Sequence, residues 1–207
     1  EGPDLGGPRG PYVQSERRLI HDEALARLKA AERVYPCTCT RADIERAASA
    51  PHDEDEGPTY PGTCAHRSAG DADGLGDRPF AWRFRAPAQA VAWDDLVAGP
   101  MTLDPSRLGG DFLVGRNGQG PSYQLAVVVD DALMGVDRVI RGDDLIPSTP
   151  RQILLYRALG WTPPQFGHLP LVVGPDGRRL AKRDGSIKLA TLRERGLAPR
   201  HLVGLLA

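Results

Sequence analysis

Residues 121–160 read PSYQLAVVVDDALMGVDRVIRGDDLIPSTPRQILLYRALG. The apolar run Leu125 to Val129 is rich in β-branched valine and stops abruptly at Asp130 and Asp131. A run that is apolar on both faces suits a strand buried on both sides, so a strand is expected there. A second short strand is expected over Val136 to Ile140, ending in Arg141-Gly142-Asp143-Asp144. A helix follows: Ser148 or Thr149 can cap it, Pro150 fits its first turn, and Gly160 fits just past its end. Ile153, Leu154, Leu155, Tyr156 and Ala158 give that helix a broad apolar face. The stretch therefore reads as strand, strand, helix, with polar residues at the carboxyl ends of both strands, where ligands bind in open α/β sheets. Tyr123, Asp130, Asp131, Arg141, Asp143 and Asp144 are the candidate site residues; the plainer reading is that the aspartates only cap loops.

Composition sets the frame for this block. The chain has 207 residues, is 41% hydrophobic and 26% charged, and carries a net charge of −1. That suits a globular domain and makes whole-protein attraction to nucleic acid weak, so RNA contact would need a local basic patch. No apolar run approaches the roughly 20 residues that span a bilayer. The first residues, EGPDLGGPRG, have neither a Met start nor the apolar core of a signal peptide. They read as the interior of a longer protein, and upstream sequence is expected. Three cysteines, two of them nearly adjacent, disfavour a disulfide framework and fit a reducing compartment or a metal site.

Ahead of the central block, a helix is expected from Ser15 to about Val34, with Leu19, Ile20, Leu28, Ala31 and Val34 on one side. Cys37-Thr38-Cys39, followed by Tyr60, Cys64 and His66, forms a candidate zinc site. A Cys-x-Cys pair can bite one ion and a third thiolate can close on it. His66 is the more usual type of fourth ligand, and Tyr60 as phenolate is rare. The alternative is that the cysteines act as small buried hydrophobes. Between the two halves, a helical piece is expected over Arg41 to Ala50, then an acidic loop from His52 to Glu56. FAWRFR, residues 80–85, reads as a half-buried strand whose Arg83 and Arg85 face either RNA or solvent. Further strands are expected within Asp94 to Asp104 and over Phe112 to Val114.

After Gly160, a third strand is expected over Leu169 to Val173, then a GPDG turn at 174–177. Arg178, Arg179, Lys182, Arg183 and Lys188 then place five positive charges on a glycine-punctuated loop. Such a loop can stabilise the charge that builds on phosphates in a transfer reaction, or it can simply be solvated. Leu189 to Leu206 is expected to be mostly helical.

Together these stretches resemble the class I glutamyl-tRNA synthetases. EGPDLGGPRGPYVQSERR is similar to the segment after the first half of their nucleotide-binding fold, and SYQLAVVVDDALMGVDRVIRGDDLIPSTPRQILLYRALGW to the opening of the second half. FGHLPLVVGPDGRRLAKRDGS resembles their KMSKS region, with Arg179-Leu180-Ala181-Lys182-Arg183 in the motif's place. The three blocks occur in the family's order and cover nearly the whole chain. Within the family, Cys37, Cys39 and the YPGTC of Tyr60 and Cys64 look closest to the glutamyl-queuosine tRNA(Asp) synthetases, as does YQLAVVVDDA.

The resemblance implies an α/β fold: a class I Rossmann-like nucleotide-binding fold, partial because its first half is missing, with an inserted zinc-containing connective subdomain. Residues 1–35 would end the first half, 36–118 form the insert, 119–173 form the second half, and 174–207 hold the KMSKS-like loop and the start of a helical part. It implies Tyr123 and Arg141 for glutamate, Arg141 being able to pair bidentately with a carboxylate. Lys182 would be catalytic and bind ATP together with Arg179, and Cys37, Cys39, Tyr60 and Cys64 would hold one structural Zn²⁺. Arg179 and Ala181 depart from the motif's usual lysine and serine. The implied reaction makes glutamyl-adenylate from L-glutamate and ATP with Mg²⁺, then transfers glutamate to queuosine at the wobble base of tRNA(Asp). The implied protein is a cytoplasmic monomer with no membrane partner. The HIGH motif and the acidic residue that reads the glutamate amine fall upstream of residue 1, so the chain by itself is expected to be inactive. Two other readings are a truncated glutamyl-tRNA synthetase core charging tRNA(Glu), and a zinc- or RNA-binding module without chemistry; Tyr123, Arg141 and Lys182 argue against the last.

Overall fold

The structure, a computed structural model, describes residues 2–47, 59–173 and 189–206. A 3-10 turn, Gln14–Arg17, leads into α1 (Arg18–Ala30), β1 (Val34–Cys37) and α2 (Arg41–Ala47). Next come a 3-10 turn (Ala69–Leu75), β2 (Ala81–Phe84), β3 (Val91–Asp95), β4 (Gly99–Leu103), β5 (Phe112–Arg116) and β6 (Gly120–Pro121). They are followed by α3 (Tyr123–Met134), β7 (Arg138–Gly142), α4 (Ser148–Ala158), β8 (Gln165–Leu169), α5 (Leu189–Glu194) and α6 (Pro199–Leu206). Glu1–Leu169 forms one compact unit and Pro170–Ala207 a second. In the second, α5 and α6 meet at Gly196, whose φ of +78° suits glycine. Among the described residues, no helix is long and apolar enough to cross a membrane.

The apolar run Leu125 to Val129 is helix, not strand. It lies inside α3, a 12-residue helix that begins after Ser122 and ends at Gly135, whose left-handed φ of +69° closes the last turn. Leu125, Ala126, Val128 and Val129 are buried because α3 packs against α1, α4 and β5 at once. Burial on several sides removes the polar face that marks an ordinary surface helix, which is why the run imitates a buried strand. Asp130 and Asp131 consequently sit in the last turns of a helix rather than at a strand end.

Three smaller boundaries also move. The first helix ends at Ala30, before a turn at Glu32 (φ +51°), and Val34 opens β1 instead of closing the helix. The second and third strands of the central block are Arg138–Gly142 and Gln165–Leu169, the latter ending where a strand was expected to begin. The expected strand and turn at 94–104 is a hairpin, β3 with β4.

The unit Glu1–Leu169 combines three pieces of sheet. Four antiparallel strands run in the order β1-β2-β5-β6, β3 and β4 form the hairpin, and β7 and β8 pair in parallel with α4 as the crossover between them. Leu28, Val34, Phe84, Val114, Leu125, Val129 and Leu155 are fully buried in one core that joins the four-stranded sheet to α1, α3 and α4. Burying a leucine or phenylalanine of this kind contributes about 1.5–3 kcal/mol each. The hairpin is stitched to the parallel pair by a hydrogen bond from the Leu96 N–H to the Phe166 carbonyl, 2.8 Å. Gly167 leaves room for that approach, because a Cβ there would lie 3.3 Å from Leu96 Cβ, and 2.8 Å from Ile140 Cδ1 of β7.

Asp130 proves to be an anchor rather than a ligand-facing carboxylate. It is buried and accepts from Arg17 Nε at 2.6 Å, His21 Nε2 at 2.8 Å and Gln14 Nε2 at 3.0 Å. Arg17, 1% exposed, also donates from Nη1 to the Pro11 carbonyl at 2.7 Å. The cluster ties the segment before α1 to the end of α3.

Candidate active site

The parallel pair brings Arg141 of β7 opposite His168 of β8. Arg141 Nε donates to His168 Nε2 at 3.0 Å, Nη1 to Gln152 Oε1 at 2.8 Å, and Nη2 to Thr149 Oγ1 at 2.7 Å and more weakly to the Leu145 carbonyl at 3.4 Å. All four acceptors are neutral. A partly buried guanidinium held only by neutral dipoles retains its charge for an anion. Burial pulls the Arg141 pKa down from its ordinary value, opposed by the nearby Tyr123 and Asp131. Four of the five guanidinium N–H groups are engaged by the protein. The Tyr123 hydroxyl adds a further neutral partner, so the protein holds the guanidinium closely.

Tyr123 is the first residue of α3 and half-exposed at 54%, and its hydroxyl interacts with Arg141. Gln124 beside it bridges to α4, donating to Ser148 Oγ at 3.0 Å and accepting from Gln152 Nε2 at 3.0 Å. Asp131 completes the group. Burial, then the charge of Asp130, pushes its carboxyl up to about 6, against the pull of Arg141. The buried Tyr156 hydroxyl, also in the field of Asp131 and Arg141, has no hydrogen-bond partner among the described residues. Asp143 and Asp144 occupy a 3-10 turn, Asp143–Leu145, that presents the Leu145 carbonyl to Arg141. Lys182 and Arg179, with the rest of the basic loop, lie outside the described residues.

The structure brings together Tyr123, Arg141 and Asp131, which sequence reasoning named as candidates, and Asp95, Thr149, Gln152 and His168, which it did not name for the site. Asp95 and His168 are buried at 5% and 2%, and 73 residues separate them, so no local motif marks the pair. The faint signal was polarity inside apolar strands: an aspartate closing VAWDD and a histidine within QFGHL.

The three cysteines converge. Cys37, Cys39 and Cys64 hold their sulfurs within 4.8 Å of one another, and Cys39 Sγ lies 3.7 Å from Cys64 Sγ. The Tyr60 hydroxyl is 3.4 Å from Cys37 Sγ and accepts from the Cys64 backbone N–H at 2.8 Å. Ligands around a tetrahedral zinc stand about 3.5–3.8 Å apart, so these donors fit one ion. His66 is exposed and outside the cluster, which favours Tyr60 as the fourth donor. Burial raises Cys39 to about 12, with the neighbouring thiols adding to the rise. Burial also raises Cys64, but the Thr38 N–H, Cys39, Tyr60 and Arg67 outweigh it and hold that thiol below its ordinary value. Crowded thiols of this kind are what a divalent cation relieves.

Arg83 is buried and Arg85 half-buried, so the two do not form a solvated sheet face. Arg83 lies over the Tyr60 ring at 3.8 Å and donates to the Asp111 carbonyl at 2.7 Å. Arg85 lies over the Tyr35 ring at 4.6 Å and donates to the carbonyls of Ala65 and Arg67. Both brace the loop that carries Cys64. A cleft of about 290 Å³ runs from Tyr60 and Arg83 past Asp111 to Tyr123 and Gln124.

Comparison with known proteins identifies the family. The model of the family "tRNA synthetases class I (E and Q), catalytic domain" matches residues 3–207. A glutamyl-Q tRNA(Asp) synthetase of Symbiobacterium thermophilum is 56% identical, over 100% of this chain and 65% of its own length. One from Rhodopirellula baltica is 49% identical over 93% of this chain and 62% of its own. The chain thus spans less than two thirds of these relatives. A solved glutamate-tRNA synthetase of Elizabethkingia anophelis superposes with a TM-score of 0.74 at 30% identity, covering 89% of this chain and 39% of that one. With its mixed α/β architecture, its match along almost the whole length and this structural likeness, the chain belongs to the class I tRNA synthetases (E and Q), as part of their catalytic domain.

Proposed function

We propose that this chain is catalytic machinery of an enzyme that activates L-glutamate with ATP and transfers it to queuosine at the wobble base of tRNA(Asp). The observation that carries the reading is Arg141: a partly buried cation with neutral acceptors on four N–H groups and the Tyr123 hydroxyl beside it. A substrate carboxylate would meet that charge and that hydroxyl. The names of the 56% and 49% identical relatives support tRNA(Asp) as acceptor.

In the first step, a glutamate α-carboxylate oxygen attacks the α-phosphorus of Mg²⁺-bound ATP, and pyrophosphate leaves. In the second, a hydroxyl of the queuosine ring attacks the adenylate carbonyl, expelling AMP and giving up its proton. No side-chain nucleophile is needed; the protein positions reactants and stabilises charge. Lys182 and Arg179 would supply that charge at the phosphates. One zinc held by Cys37, Cys39, Cys64 and Tyr60 would be structural, fixing the loop ends of an insert at residues 36–118. Residues 119–173 would form the second half of the Rossmann-like fold.

A second reading, glutamate charging of tRNA(Glu), draws on a glutamate–tRNA ligase of Nitrosococcus oceani, 41% identical over 100% of this chain and 44% of its own length. Glutamate-dependent ATP–pyrophosphate exchange by the full-length protein separates the two. Exchange without tRNA supports the queuosine enzyme. Exchange only with tRNA(Glu) supports the ligase, and none under any condition sinks both.

A further inference from the structure

Behind Arg141 lies a chain of buried polar groups that substrate would not touch. Asp95 closes β3 and turns its carboxylate into the protein. Its Oδ1 accepts the backbone N–H groups of Val97 at 3.1 Å, Ala98 at 3.0 Å and His168 at 3.0 Å. Its Oδ2 meets His168 Nδ1 at 2.5 Å. The side chains of this pair are 0% exposed. Burial opposes the Asp95 charge, but those donors outweigh it and hold the carboxyl well below the usual range. An ionised carboxylate has only acceptors, so the proton between them resides on His168 Nδ1. In the neutral ring, Nε2 is then left as an acceptor, and it receives Arg141 Nε–H at 3.0 Å, with Thr149 Oγ1 also 3.1 Å away. Were Nε2 protonated, it would confront the guanidinium donor to donor. The arrangement is a one-way chain: carboxylate, imidazole, guanidinium.

We propose that Asp95 and His168 are positioning residues for Arg141: Asp95 fixes His168 as the Nδ1–H tautomer, and the unprotonated Nε2 locks the guanidinium in the orientation that receives the substrate carboxylate. This deepens the glutamate reading and rests on it. Fixing the edge that carries Nε holds the plane of the guanidinium, and it does so through a neutral ring, with the Asp95 carboxylate one residue further back. It parallels the way a second carboxylate orients a metal-bound histidine. It also explains a polar pair within an apolar hairpin contact, where two hydrophobes would pack at less cost.

The test uses the full-length protein. Asp95→Asn keeps the size but can place an amide N–H₂ against Nδ1, driving the proton to Nε2 and against Arg141. His168→Gln retains an acceptor where Nε2 stood and has no tautomer to set. Asp95→Asn is expected to raise the KM for glutamate about 10- to 100-fold, as loss of a hydrogen bond to a charged group does, with the KM for ATP little changed. In the His168→Gln background, the same Asp95 substitution should have a several-fold smaller effect on that KM. An unchanged glutamate KM in Asp95→Asn, or an equal penalty in both backgrounds, overturns the proposal. Imidazole ¹⁵N resonances of the unsubstituted protein, with His168 assigned by its absence in His168→Gln, give a readout independent of variant folding. An Nδ1–H signature is expected, and an Nε2–H signature overturns the proposal. Arg141→Lys separates the two levels: unchanged glutamate KM in that variant removes the glutamate reading, while the ¹⁵N signature still decides the tether.

Discussion

Replacing Asp130 by asparagine should destabilise the fold far more than loss of one hydrogen bond. The substitution preserves shape and an acceptor but strands the Arg17 guanidinium, 1% exposed and 2.6 Å from the former carboxylate, without a counter-charge. Removing one partner of a buried pair costs about 3–5 kcal/mol, against about 1 kcal/mol for an ordinary hydrogen bond. At about 2–4 °C per kcal/mol for a chain of this size, the melting temperature should fall by about 10 °C. Adding Arg17→Met removes the stranded charge, so the double variant should melt above the Asp130→Asn single. The pH dependence has a definite sign. Hydrogen bonds from Gln14, Arg17 and His21 outweigh burial and depress the Asp130 pKa. Its stabilisation is therefore complete above the unfolded value of about 4 and is lost as pH falls through the lower folded value. The gap between the unsubstituted protein and Asp130→Asn should thus close in acid. Melts followed by circular dichroism between pH 3 and 8 (about the accessible range) suffice. A single variant within about 1 kcal/mol of the parent, or strictly additive losses in the double, would falsify the account of Asp130 as counter-charge.

Asp131 should behave in the opposite sense. With its folded pKa raised to about 6, its contribution is fully present below about 4 and lost as pH rises through 6, so Asp131→Asn should stabilise at pH 8 and be neutral near pH 3. Equal effects at both pH values would contradict its burial beside Asp130. Plasma mass spectrometry of the purified protein should find one zinc per chain, lost in Cys64→Ser and kept in His66→Ala. Retention in Tyr60→Phe combined with loss in His66→Ala would assign the fourth ligand to histidine. Gly135→Ala should cost about 1–3 kcal/mol in denaturant melts, because φ is +69° and its Cβ would strike the Arg9 guanidinium that caps Met134. A neutral result would mean that the Arg9 contact yields freely.

What the sequence made legible was whatever depends on neighbours along the chain. The Cys-x-Cys spacing and the α4 punctuation at Pro150 and Gly160 rest on local residue patterns, whereas the joining of Tyr123 with Arg141 came from the family resemblance. The error over Leu125 to Val129 arose because α3 is buried by α1, α4 and β5 together, and no local pattern records how many neighbours a helix has. The spacing of Leu125, Val128 and Val129 was nonetheless that of a helix face. Arg83 and Arg85 looked like a basic surface because residue type does not reveal that rings of Tyr60 and Tyr35 lie under them. Asp95 and His168 were invisible for a related reason: their partnership is a product of the hairpin lying against β8.

That last contact changes how the hairpin of β3 and β4 should be regarded by anyone who edits this chain. A short antiparallel excursion looks like a convenient place for trimming, splicing or exchanging a segment between relatives. Here its closing aspartate reaches a strand 73 residues further on. On the proposed role of Asp95, a graft that preserved the hairpin's length and hydrophobicity but not that one carboxylate would fold and yet leave Arg141 poorly held. Compatibility between exchanged segments should accordingly be scored on the matched pair, Asp95 with His168, before overall similarity.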